Sequence, residues 1–257
     1  MDFAAFLRQV LPPLGLAPRP HHRRGLRRKL TRRLEALGLT GWEQYAARLE
    51  IDPAERGEFA ALLGVTISRF WRNRAFWEHL AANVLPELCR GGLRAWSVGC
   101  ASGEEPYSLA MLWRDVCPGQ PLFLLATDID REVLRRAEQG LYPPGSLREL
   151  PPGLKGRWFR PERGGLRLAA AIRGMVTLRR HDVLREPLPP EAKSFGLILC
   201  RNLAFTYFGE AARREVAGRL VSALAPGGYL AIGRKERLPE GEFGLAAAGY
   251  LGLFRRG

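Results

Sequence analysis

The chain has 257 residues, with 40 Lys+Arg against 26 Asp+Glu, a formal net charge of +14 and 46% hydrophobic residues. That length fits one large domain or a small one beside a large one, and the apolar share with dispersed Gly and Pro excludes a disordered or collagen-like chain. No apolar run reaches the roughly 18 residues of a membrane span, and the first 20 residues lack a basic stretch followed by an apolar core, so neither a transmembrane segment nor a secretory signal is expected.

The first 90 residues read as helices. From His22 to about Leu37, the apolar residues Leu26, Leu30, Leu34 and Leu37 recur at helical spacing. Between them stand Arg23, Arg24, Arg27, Arg28, Lys29, Arg32 and Arg33, which predicts one face of unbroken positive charge. Thr40, with Glu43 completing a capping box, is expected to open a helix through Trp42, Tyr45 and Leu49. Asp52-Pro53 is expected to open another through Phe59 and Leu63.

After residue 90 the rhythm becomes strand then helix. Apolar runs at 93–98, 122–127, 176–178, 195–199 and 229–233 read as strands, and 106–116, 131–139 and 210–224 read as helices. Residues 240–257 alternate Gly with apolar residues and suit a closing hairpin. This alternation predicts a parallel, doubly wound α/β sheet. The four cysteines (Cys89, Cys100, Cys117, Cys200) form no CxxC pair and read as reduced, buried thiols of a cytoplasmic protein.

Charge is unevenly placed. Residues 1–34 and residues 131–185 each carry a balance of +8, and the remainder carries −2. Two basic patches imply an acidic partner, either a nucleic acid, an anionic membrane or an acidic protein surface.

In a doubly wound sheet, ligands bind beyond the carboxyl ends of the strands. Three such ends carry suggestive residues. The first is GCASGEEPYS at 99–108, where small residues let the backbone approach a ligand and a helix N-terminus follows. Its two glutamates disfavour a pyrophosphate and suit a ligand with cationic and hydroxyl groups, such as S-adenosylmethionine. The second is Thr127-Asp128-Ile129-Asp130, with a carboxylate where ribose hydroxyls are bound in dinucleotide folds; Asp130 also reads as the cap of the next helix. The third is Cys200-Arg201-Asn202-Leu203-Ala204-Phe205-Thr206-Tyr207-Phe208, which offers an amide, a ring and a hydroxyl.

GCASGEEPYSLAM, ATDIDREVLRRAEQGLYP, LILCRNLAFTYF and LAPGGYLAIG, in that order and spacing, resemble the CheR-type methyltransferases. That family transfers a methyl group from S-adenosylmethionine to glutamate side chains of bacterial chemotaxis receptors, leaving S-adenosylhomocysteine. The resemblance runs over nearly the whole chain, including the basic front helix. It implies a class I methyltransferase-like doubly wound α/β sheet (residues 76–257) preceded by a small all-helical N-terminal domain (residues 1–75) for substrate recognition. It also implies a small antiparallel insert near 156–180 with its turn at Arg163-Gly164-Gly165.

Carried over residue by residue, the resemblance assigns cofactor contacts to Ser68, Arg72, Gly99, Gly103, Glu105, Asp128, Asp182, Val183, Arg201 and Asn202. Arg72 and Tyr207 are its catalytic candidates, and no metal is implied. The chain departs from the family's pattern in three places. Four residues rather than three separate Asn202 from Tyr207, so that Thr206 competes for the tyrosine's place. Gly233-Arg234-Lys235-Glu236 replaces Gly-His-Ser-Glu, and Phe70-Trp71-Arg72-Asn73 replaces Phe-Phe-Arg-Asp.

A glutamate carboxylate is ionised at pH 7, with an ordinary pKa of about 4.3, so the expected chemistry needs no general base. His79 and His181 accordingly read as structural. The expected partner is an acidic, helical, chemoreceptor-like protein met by a monomer. Alternatives are methylation of RNA, of a small molecule or of a non-receptor protein, and a non-catalytic S-adenosylmethionine-binding protein. Nucleic acid is the weaker alternative, since Asn202-Leu203-Ala204-Phe205 lacks the prolines of the [DN]-P-P-[FY] motif.

Overall fold

The computed structural model describes residues 1–18, 24–63 and 68–257. The expectations for His22 and Arg23 lie outside the described residues. Helices Phe3–Val10, Arg24–Ala36, Trp42–Ile51 and Pro53–Leu63 make up the front of the chain. They close over one apolar cluster in which Phe6, Leu30, Tyr45 and Phe59 are fully buried. Leu26, Leu30 and Leu34 bury the inner face of the basic helix as their spacing predicts, and Leu37 packs at the cluster's edge.

Two local expectations change. Gly41, in extended backbone, precedes the Trp42–Ile51 helix, and the Thr40 N–H and hydroxyl both donate to Gln44 Oε1 (2.9 and 3.2 Å) instead of a box closing on Glu43. The charged face of the basic helix is also narrower than predicted. Arg27, Arg28, Lys29 and Arg32 are exposed, but Arg33 turns inward and donates two hydrogen bonds to Glu55 (3.0 and 2.6 Å), which also accepts from the Tyr45 hydroxyl at 2.8 Å. Glu55 is 4% exposed, and the Arg33 guanidinium beside it holds its carboxyl below the usual range. The Asp52 side chain accepts from the N–H groups of Ala54 and Glu55, as expected of a helix cap.

The large sheet is built from β1 (Leu93–Val98), β2 (Leu122–Asp128), β6 (Val176–Arg180), β7 (Phe195–Cys200), β8 (Leu224–Ile232), β9 (Leu245–Ala247) and β10 (Leu253–Arg256). Its order is β6-β2-β1-β7-β8-β10-β9, parallel except that β10 runs antiparallel to both of its neighbours. The central strands read as continuous apolar runs because helices cover both faces. Trp96, Leu125 and Ile198 are fully buried side by side in register. The chain moves outward from β1 through β2 to β6, then returns to β7 on the other side of β1. That reversal opens a crevice at the carboxyl ends of β1 and β7, the switch point where ligands bind in open α/β sheets.

A second sheet joins β3 (Leu141–Tyr142), β4 (Phe159–Glu162) and β5 (Gly165–Leu168) in the order β3-β5-β4, with the turn at Arg163-Gly164. The insert therefore begins earlier and ends sooner than the range 156–180 predicts. Val176–Arg180 pairs parallel with β2 from Leu124 to Asp128 and belongs to the large sheet. The cysteine expectation is corrected as well: Cys89 and Cys117 form a disulfide, with Cα atoms 5.5 Å apart, while Cys100 and Cys200 are free and buried. Burial of the two predicted apolar sites brings them together, since Cys89 follows helix Leu85–Leu88 and Cys117 ends helix Glu104–Val116 against it.

Candidate active site

Two cavities open at the carboxyl ends of the central strands and share Gly99, Ala101, Asn202 and Tyr207 as their common wall. The first is mainly apolar, lined by Leu14, Leu16, Val98, Val183 and Leu203, with Asp128 and Asp182 at its polar edge. The second is polar, lined by Ser68, Arg69, Arg72, Glu105 and Arg201, with Trp77 at its wall. Of the predicted site residues, only Gly103 lines neither. It sits at φ 88° as the cap of helix Glu104–Val116, with Tyr107 against it, and its part is in the turn.

The polar cavity is organised by an ion pair. Arg201 Nη1 donates to Glu105 Oε2 at 3.2 Å, and its Nη2 donates to the Arg72 carbonyl at 3.1 Å. The guanidinium carbon lies 4.0 Å from the Phe76 ring centre and 5.6 Å from that of Trp77. Glu105 Oε1 accepts from the Ser97 hydroxyl at 2.9 Å. Burial pushes the Glu105 carboxyl up and the Arg201 guanidinium down, and each holds the other charged. Neighbouring Glu104 is only 3% exposed; burial raises its carboxyl to about 7, against a hydrogen bond from Ser68.

Five described non-glycine residues have positive φ, and four of them surround this site. Trp71 (58°) and Asn73 (66°) flank Arg72, while Ala101 (49°) and Asn202 (61°) line the cavities. Such backbone costs about 1–3 kcal/mol per residue and persists where surrounding contacts over-determine it. Those contacts are present. Trp71 N–H donates to Ser108 Oγ (3.0 Å), Asn73 N–H to Glu149 Oε2 (3.2 Å), and Trp77 Nε1 to the Arg72 carbonyl (3.2 Å). Arg72 itself is exposed at the cavity, held on a rigid backbone hook.

Asp128 Oδ2 accepts from the Ala101 N–H at 2.9 Å and Oδ1 from the Asp130 N–H at 3.0 Å, and burial raises its carboxyl. Asp182 Oδ1 accepts from the N–H groups of Leu184 and Arg185, which holds the turn that turns Val183 toward the apolar cavity. His181 lines the same cavity, its Nε2 2.9 Å from the Pro187 carbonyl oxygen. Gly99 (φ 71°) is required by close approach: a Cβ there would lie 2.5 Å from Leu203 Cδ2.

The segment that carries the extra residue forms the short helix Ala204–Tyr207. Thr206 Oγ1 donates to Glu236 Oε1 at 2.5 Å, away from the cavities, and Tyr207 lines both of them. The front of the chain reaches the same spot. The Ala17 N–H donates to the Tyr207 carbonyl (2.8 Å), the Gly209 N–H to the Gly15 carbonyl (2.9 Å), and Leu16 bridges Phe208. Sequence reasoning missed Glu236, Ser97 and the Leu14–Leu16 wall. The first two lie in or beside recognised motifs, whereas the wall is made by a contact across nearly 200 residues and leaves no local signal.

These features fit S-adenosylmethionine. An apolar slot with a carboxylate at its rim suits an adenosine and its ribose diol, and the adjoining cavity offers Glu105, Arg72 and Ser68 to an amino-acid tail. Among the described residues, no glycine-rich anion cradle free of carboxylates is present there for a pyrophosphate.

Similarity to known proteins agrees. Residues 66–247 match the family described as CheR methyltransferase, SAM binding domain. A chemotaxis protein methyltransferase of Listeria monocytogenes is 32% identical over 249 residues, covering 95% of this chain and 94% of that protein. Chemotaxis protein methyltransferase 2 of Pseudomonas aeruginosa is 32% identical over 215 residues, covering 81% and 76%. That of Escherichia coli is 31% identical over 232 residues, covering 86% and 79%. The chain belongs to the CheR family of S-adenosylmethionine-dependent methyltransferases.

Proposed function

We propose that the chain methylates glutamate side chains of an acidic, helical, chemoreceptor-like protein at the polar cavity between Arg72 and Tyr207. The observation that carries this reading is that both residues line one cavity, which shares a wall with the apolar slot. Adenine is assigned to the slot beside Val183 and Leu203, the ribose diol to Asp128, and the amino-acid tail to Ser68, Arg72, Glu105 and the backbone at Gly99. Arg201 supports that tail by fixing Glu105, and Asn202 closes the wall between the two cavities.

When bound, the cofactor supplies a methyl group on a sulfonium, already electrophilic. The acceptor carboxylate is ionised at neutral pH, so the residues of this chain have to exclude water and set the line of attack rather than remove a proton. Arg72 presents a planar fork suited to a carboxylate, and the Tyr207 hydroxyl orients the attacking oxygen. The exposed Arg27, Arg28, Lys29 and Arg32 make the front helix the docking face for an acidic partner. Residues 1–75 thus serve recognition and lend Ser68 and Arg72 to the site, while 76–257 supply the remaining contacts for cofactor binding and transfer, in a cytoplasmic monomer whose assigned site is complete within one chain.

The test is transfer of labelled methyl from S-adenosylmethionine to a glutamate-rich helical receptor fragment. The expected product releases methanol in mild base, as a carboxyl ester does. Base-stable label, or label taken up by RNA in place of the fragment, would overturn the assignment of a carboxylate acceptor.

A further inference from the structure

Glu236 is 8% exposed and lies at the end of the turn that follows β8. Its Oε2 accepts from two backbone N–H groups, Asn202 at 2.8 Å and Gly233 at 2.5 Å, and its Oε1 accepts from the Thr206 hydroxyl at 2.5 Å. One carboxylate therefore joins the ends of two neighbouring strands, β7 and β8. It grips the β7 loop twice: at Asn202, whose positive φ needs an outside hold, and at Thr206, one residue before Tyr207.

The fit leaves no slack. A Cβ at Gly233 would stand 2.5 Å from the Asn202 side-chain nitrogen and 2.6 Å from Glu236 Oε2. Adjacent residues of a helical turn point about 100° apart. Holding Thr206 against the β8 side thus fixes the direction of Tyr207. This matters in a chain with four residues between Asn202 and Tyr207, since a slip of one residue would exchange threonine and tyrosine at the cavity wall.

We propose that Glu236 is a positioning residue for methyl transfer, acting through Thr206 and Asn202 to hold Tyr207 in the cavity. This rests on the assignment of Tyr207 above. The carboxylate works here as a three-way acceptor, and its negative charge is secondary. A glutamine keeps the geometry: its carbonyl oxygen takes the two N–H groups, and its amide donates to a reoriented Thr206 hydroxyl.

The test uses the full chain, with labelled transfer to the glutamate-rich fragment, calorimetric binding of S-adenosylhomocysteine and thermal unfolding for wild type, E236A, E236Q, T206V, Y207F and E236A/Y207F. E236A is expected to lower kcat by about a hundredfold, with E236Q restoring it to within about threefold of wild type. T206V, which removes one hydrogen bond and little volume, is expected to lower kcat about tenfold while the midpoint of unfolding stays in place. In the Y207F background, E236A should lower kcat less than threefold further, because the residue it positions has already lost its hydroxyl. Full multiplication of the two effects would overturn the inference. So would E236Q as impaired as E236A, or T206V with wild-type kcat. Wild-type turnover in Y207F would sink the role of Tyr207 itself, a separate failure visible without any change at Glu236.

Discussion

Arg201 and Glu105 meet at 3.2 Å across the switch point of the sheet, one from the end of β7 and one from the helix after β1. The pair has 4% and 15% side-chain exposure, and it also holds the carbonyl of Arg72. It is the joint where the loops after β1 and β7 and the Arg72 hook become one rigid unit. Removing one partner from a buried pair leaves an uncompensated charge, at a cost of about 3–5 kcal/mol. E105Q is therefore expected to lose about that much stability in urea unfolding and to lose S-adenosylhomocysteine binding with it. A variant that unfolds like wild type would show the pair to be incidental.

Glu104 should make stability depend on pH in a recognisable way. Its carboxyl stands near 4.5 when unfolded and about 7 when folded. Between those values the folded chain keeps a proton that the unfolded chain has released. The stability carried by the protonated form is fully present below pH 4.5, is lost as pH rises, and levels off above 7. The whole change amounts to about 3 kcal/mol. E104Q removes it. The difference in unfolding free energy between wild type and E104Q should fall by about that amount from pH 4.5 to 8, and a flat difference would contradict the buried, protonated state.

Asp128 carries the ribose assignment. D128N keeps the shape and one acceptor oxygen but gives up the charge. Hydrogen bonds to a charged group contribute about 1.5–3 kcal/mol, so calorimetry should show S-adenosylhomocysteine binding weakened by roughly one to two powers of ten. Unchanged affinity would move the ribose elsewhere.

The four outward cations described on the front helix should matter to the partner and not to the fold. Replacing Arg27, Arg28, Lys29 and Arg32 with glutamine is expected to leave unfolding within about 0.5 kcal/mol per site. KM for the acidic fragment should rise roughly tenfold, the effect of four exposed charge pairs at a few tenths of a kcal/mol each. That loss should shrink in high salt. A KM that does not move would place docking on another surface.

How much of this could be read beforehand depended on range. The strands at 93–98, 122–127 and 195–199, the helix after GCASGEEPYS and the buried stripe of Leu26, Leu30 and Leu34 are written in local periodicity, and they lie close to where it puts them, whereas β8 begins at Leu224, ahead of the expected 229–233. Asp128, Arg201 and Asn202 were legible because strand ends are marked by the break in an apolar run. Arg33 was not, since its inward turn is decided by Glu55 on another helix. The Cys89–Cys117 bond, the early third strand at Leu141–Tyr142 and the grip of Glu236 on Thr206 are likewise products of tertiary contact. Thr206 and Tyr207 could not be ranked from sequence, because the choice between them is made by a carboxylate 30 residues away.

The central claim is that one cofactor spans both cavities with its reacting centre between Arg72 and Tyr207. A crystal structure with bound S-adenosylhomocysteine tests it most directly. The account expects adenine against Val183 and Leu203, the ribose diol on Asp128, and the sulfur in the polar cavity facing the Tyr207 hydroxyl. Adenine in the polar cavity, or a sulfur turned away from both Arg72 and Tyr207, would contradict it.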